Sequence, residues 1–146
     1  MLKILHPVAG VIALVTIATF WLSTLASELI GSRATVIAVK SAVPWGLLLL
    51  VPALIATGGS GISLSKGRKG GLLGIKSKRM PFIAANGVLI LLPSALLLAH
   101  KAQAGQFDGL FYGVQALELV AGAVNITLLG LNMRDGLMIK GRIRRR

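Results

Sequence analysis

The chain has 146 residues, of which 55% are hydrophobic and only 14% charged, and its mean hydropathy is +0.82. A soluble domain carries roughly a quarter charged residues, so these proportions belong in a bilayer. Sixteen Lys and Arg against four Asp and Glu give a net charge of +12, and the lack of cysteine excludes disulfides, thiolate metal sites, cysteine nucleophiles and redox dithiols.

Crossing a hydrocarbon core of about 30 Å takes ~20 mostly apolar residues in a helix. Four stretches meet that length, at about 4–29, 34–57, 81–100 and 110–133. They predict an all-α polytopic membrane protein, a four-transmembrane-helix antiparallel bundle forming a single integral membrane domain over 1–146. The first stretch is longer than the ~7–15 apolar residues of a signal peptide, and LASELI (25–30) offers no small-residue cleavage site, so it is read as a retained helix. An outer-membrane barrel is excluded because LLLLVPALIA (47–56) and VLILLPSALLLA (88–99) lack the alternation of barrel strands. Trp21, Phe82, Phe107, Phe111 and Tyr112 lie near span ends, where interfacial aromatics are expected, whereas Trp45 falls mid-span.

The cations are distributed unevenly. Lys3, the loop 58–79 and the tail 134–146 hold thirteen of the sixteen, leaving Arg33, Lys40 and Lys101 for the other side. By the positive-inside rule both termini and the long loop are cytoplasmic, in a bacterial-type inner membrane. The charge therefore describes topology, and no nucleic acid partner is implied. In the loop, TGGSG (57–61) and KGRKGG (66–71) invite a phosphate-loop reading, but GxxxxGK[ST] is absent and no GxGxxG follows a strand. Lys66, Arg68, Lys69, Lys76, Lys78 and Arg79 are instead expected to meet anionic lipid headgroups of the cytoplasmic leaflet or a partner protein. Leu72, Leu73 and Ile75 would let the segment dip into the interface.

Polar residues at membrane depth mark the candidate site. On the fourth span Phe111, Gln115, Glu118, Gly122, Asn125, Leu129 and Asn132 recur at spacings of three and four, placing Gln115, Glu118, Asn125 and Asn132 on one face. The third span answers with Asn86, Pro93 and His100 at sevens, Asn86 near the depth of Asn125 and Asn132. Lys40 and Glu118 lie at matching depths, ~9 and ~12 Å from the outer ends of their helices at 1.5 Å per residue. They are expected to form an ion pair, the alternative being that Lys40 snorkels to the headgroups. Glu118 is then the best candidate for proton or cation handling. No catalytic residue and no metal site is expected, since two histidines and four acids supply no His–acid arrangement at one depth.

KILHPVAG (3–10) opens the first span with a cation, an apolar pair and a histidine. In this short segment the chain resembles the b561-like four-helix membrane cytochromes, and the resemblance implies that His6 ligates haem b. The family's other helix-borne histidines have no counterpart here. A second axial ligand would be Met80, Met133 or Met138, or His6 of a symmetry mate. Three functions follow: a redox or accessory membrane subunit binding haem b or a quinone; a small transporter or channel using the polar face centred on Glu118; and a non-catalytic assembly partner. Small residues on the fourth span (Gly113, Ala116, Ala121, Gly122, Ala123) favour a homo-oligomer or a place in a larger membrane complex.

Overall fold

The computed structural model describes residues 1–65 and 70–139. Among these every regular element is helical: α1 (Leu2–Ile30), α2 (Arg33–Ser65), α3 (Gly71–Asn86), a π-helical turn (Gly87–Leu91), α4 (Leu92–Gln103) and α5 (Gly109–Ile139). The π turn joins α3 to α4 as one continuous rod. The result is four long apolar rods, each long and apolar enough to cross a membrane. Successive rods run antiparallel. His6, Thr57, Lys76 and Asp135 gather at one end of the bundle, and Thr24, Lys40 and Glu118 toward the other. The first is here called the terminal end and the second the loop end.

The loop end is closed by local chemistry. Ser32 caps α2 by accepting the Thr35 N–H at 3.3 Å, and Asp108 caps α5 by accepting the Phe111 N–H at 2.9 Å. α4 stops in a Schellman motif: Gln106 N–H bonds to Lys101 O at 2.9 Å, Gly105 N–H to Ala102 O at 3.0 Å, and Gly105 takes a φ of +67° that suits glycine alone.

Three rods outrun the predicted spans. α2 continues to Ser65, α3 starts at Gly71, and α5 runs to Ile139, so most of the described part of the expected loop is helix. The glycines of TGGSG do not form a phosphate loop. They sit within α2, where a Cβ on Gly61 would come 3.2 Å from His6 Cε1, so the missing side chain at Gly61 makes room for the histidine. Gly46 does the same for Phe20 and Gly122 for the Trp21 indole. Trp21 and Phe111, expected at the interface, turn inward instead: Trp21 Nε1 donates to Leu119 O at 2.8 Å and Phe111 is fully buried. Trp45, expected mid-span, faces outward at 75% exposure.

The π turn has a consequence for register. Leu92 N–H bonds to Gly87 O, five residues back rather than four. The additional residue rotates everything after it by about 100°. The heptad expected from Asn86 through Pro93 to His100 is therefore displaced by one position. Ser94 and Lys101 are buried, while Pro93 and His100 are exposed.

Candidate functional site

The polar face of α5 lies inside the bundle as its spacing requires. Phe111, Gln115, Gly122, Asn125, Leu129 and Asn132 are all buried, and the stripe extends one step further to Asp135, 1% exposed. Three groups of contacts hang on it, at increasing distance from the loop end.

The outermost is charged. Lys40 Nζ lies 2.6 Å from Glu118 Oε2, and Lys40 is 1% exposed, so it does not snorkel to the headgroups. Thr24 Oγ1 accepts from the same ammonium at 3.5 Å, and Gln115 Nε2 approaches Glu118 Oε2 at 3.4 Å. Glu28 bears on Lys40 electrostatically from α1, an association that no spacing argument on a single helix could find. Its Oε1 and that of Gln115 are buried without hydrogen-bond partners. Glu118 also borders a small apolar cavity between α1, α2, α4 and α5, lined by Trp21, Leu47, Leu91 and Gly122.

At mid-depth, Asn86 Nδ2 donates to Asn125 Oδ1 at 2.8 Å and to Ala121 O at 2.9 Å, while Asn125 Nδ2 reaches Ile83 O at 3.3 Å. Side-chain amide contacts of this kind hold transmembrane helices together, at ~0.6–2 kcal/mol each. Asn132 is not part of this group. Its Nδ2 donates to Met80 Sδ at 3.2 Å.

The terminal end gathers the residues about which the sequence said different things. Lys76 and Arg79 do not project to headgroups. Because α3 begins at Gly71, positions 76, 79, 80 and 83 share its inner face, and Lys78 alone of the described loop cations is exposed. Arg79 Nη1 pairs with Asp135 Oδ2 at 2.8 Å, with Arg134 Nη2 at 3.5 Å from Oδ1. Asp135 was missed because its stretch was assigned to a solvated tail. Lys66, Arg68 and Lys69 lie outside the described residues.

His6 has both ring nitrogens engaged. Nδ1 is 3.1 Å from Thr57 O and 3.0 Å from Ser60 Oγ. Ser60 spends its proton on Ala56 O, and a carbonyl can only accept, so the network assigns the proton to Nδ1. Nε2 is left to accept from Lys76 Nζ at 3.2 Å. An axial haem ligand needs a free nitrogen lone pair, and Met80 Sδ is likewise occupied by Asn132. The pair His6 and Met80 does not fit a haem iron. They do share a wall of a cavity of about 420 Å³, lined by α1, α2, α3 and α5. Its polar lining is His6, Thr57, Lys76 and Asn132; its apolar lining includes Pro7, Val8, Val11, Leu129 and Met133.

Outside the spans, Lys101 Nζ holds Asp108 Oδ2 at 2.8 Å. This hydrogen bond, with the Phe111 N–H, keeps the Asp108 carboxyl below its usual range. A lowered acid stabilises the fold above its unfolded pKa and loses that contribution as pH falls through the folded value. Acid titration of thermal stability is expected to drop below pH about 4 in the wild type, and less so in Asp108→Asn. Equal slopes for the two proteins would remove Asp108 as a stabilising cap.

No protein family, curated protein or solved structure matches the chain.

Proposed function

We propose that the chain is a non-hydrolytic accessory or redox-type membrane subunit that binds a lipid-soluble ligand at its terminal end. The observation that carries this reading is the cavity bordered by His6, Lys76 and Asn132. Its volume, about 420 Å³, falls in the range of roughly 300–1,000 Å³ typical of small-molecule sites, and it combines apolar walls with a few convergent polar groups. The surplus of Lys and Arg at that end supports a cytoplasmic-side position in an inner membrane. Of the two ligands expected from sequence, haem is the less well supported, because His6 and Met80 each hold other partners. A quinone or an acyl lipid requires only apolar walls with a few polar groups at one end, the combination this lining presents.

The transport reading is less well supported. Asn125 is completely buried and the α5 polar groups bond mainly to groups on α2 and α3, which describes a closed, adhesive column. The cavity reading is tested by native mass spectrometry of protein extracted in mild detergent. Wild type should retain about one lipid-soluble molecule per chain. Val8→Trp, at a half-exposed wall position, should exclude it while leaving the fold intact. Identical retained species in the two proteins would sink the proposal.

A further inference from the structure

We propose that the Lys40–Glu118 pair forms the inner wall of a binding site for a monovalent alkali cation, whose oxygen donors come from Glu28 and Gln115. The site lies at the loop end and does not depend on the cavity at the terminal end. Two carboxylates, Glu28 and Glu118, act there on a single ammonium. That ammonium is committed to Glu118 Oε2 at 2.6 Å and Thr24 Oγ1 at 3.5 Å. Of the other cations at this end, Arg33 lies over the Phe107 ring at 5.3 Å and Lys101 holds Asp108 Oδ2 at 2.8 Å. Lys40 and Glu118 cancel, which leaves one negative charge on Glu28. A monovalent ion neutralises it, whereas a divalent ion would leave an excess positive charge beside the buried ammonium.

Hydrogen bonding points to the same deficit. Glu28 Oε1 and Gln115 Oε1 are buried, and no donor among the described residues reaches either. Gln115 is 4% exposed, and its Nε2 lies 3.4 Å from Glu118 Oε2, so its amide belongs to the cluster. Turning that amide over would set two acceptor oxygens against each other, so Oε1 keeps the far side. Carboxylate and carbonyl oxygens are the donors that hard cations take. Helix register brings the two orphans to similar levels. Glu28 follows Thr24 by one turn on α1, and Gln115 precedes Glu118 by three residues on the antiparallel α5. At 1.5 Å per residue they lie ~6 and ~4.5 Å from the ion pair, both toward the loop end. On its other side the pair meets the small apolar cavity that Thr24 and Glu118 help to line. α1 ends at Ile30, two residues beyond Glu28, so an ion enters from the loop-end surface.

The test is thermal unfolding of the full chain in an uncharged detergent at constant ionic strength, with choline chloride replaced stepwise by sodium or potassium chloride. The wild-type midpoint is expected to rise by about 3 °C for each tenfold increase of the bound ion above its dissociation constant. Glu28→Gln removes the charge and Gln115→Leu the amide oxygen at little change of size, and each should lose most of that rise. Val8→Trp, at the opposite end, should keep it. Binding of radioactive sodium to the wild type, competed by potassium but not by choline, reads the site without any variant. Equal midpoints in all three salts together with no bound sodium would overturn the proposal, as would a rise retained in full by both variants. A midpoint that follows pH and ignores both metals would make the missing cation a proton, and that result overturns the metal assignment as well.

Discussion

Lys40→Met is expected to lower stability in detergent by about 3 kcal/mol, the cost of removing one partner from a buried ion pair. The methionine matches the lysine stem in length and apolar character, so packing around position 40 changes little. What changes is Glu118. Its Oε2 loses the ammonium at 2.6 Å and keeps only the Gln115 amide at 3.4 Å, in a residue whose side chain is 15% exposed. Thr24 Oγ1 also loses its donor, in a residue 3% exposed. The double variant Lys40→Met/Glu118→Leu should recover more than half of the loss, because a well-packed apolar pair avoids the desolvation of both charges. Thermal unfolding of the two single variants and the double variant measures the coupling directly. Additive losses would mean that the 2.6 Å contact contributes nothing of its own. Recovery in the double variant also bears on function: a pair dispensable for stability is there to set helix register or to exchange partners.

Most of the fold was legible in the sequence because a bilayer imposes a length and a composition on anything that crosses it. The α5 stripe was legible for a related reason. Polar groups that must avoid lipid expose the 3.6-residue period with little noise, and matching depths brought Lys40 and Glu118 together. Three things were not legible. The helix ends were misjudged because glycine runs such as Thr57–Gly61 read as loops, yet the absent side chains serve a neighbour, His6 against Gly61. The π turn at Gly87–Leu91 adds a residue to the period, so a heptad that predicted His100 on the inner face delivered Lys101. The basic segment was treated as solvated because its charges dominate its composition. Helical phase then turned Lys76 toward His6 and Arg79 toward Asp135, and left Lys78 outside.

The other large effect is expected at the loop end. Phe111 is fully buried against Val36, Leu98 and Ala102, with edge-on ring contacts to Phe107 at 4.9 Å and Tyr112 at 5.3 Å. Phe111→Ala should cost about 3 kcal/mol. Near a membrane surface the transfer part of that cost shrinks, but the unfilled volume and the lost dispersion contacts remain in either solvent. The consequence extends inward along α5. Glu118 lies about two turns below Phe111 on the same face, so the packing that seats Phe111 against α2 and α4 also sets the height at which Glu118 meets Lys40. The losses of Phe111→Ala and Lys40→Met should therefore combine to less than their sum, since the first already loosens the ion pair. Phe111→Leu, which keeps most of the volume, should restore most of the stability and the full cost of Lys40→Met. Strict additivity of Phe111→Ala with Lys40→Met would show that the aromatic clamp and the ion pair are independent, with the pair's register set locally by Gln115 and Thr24.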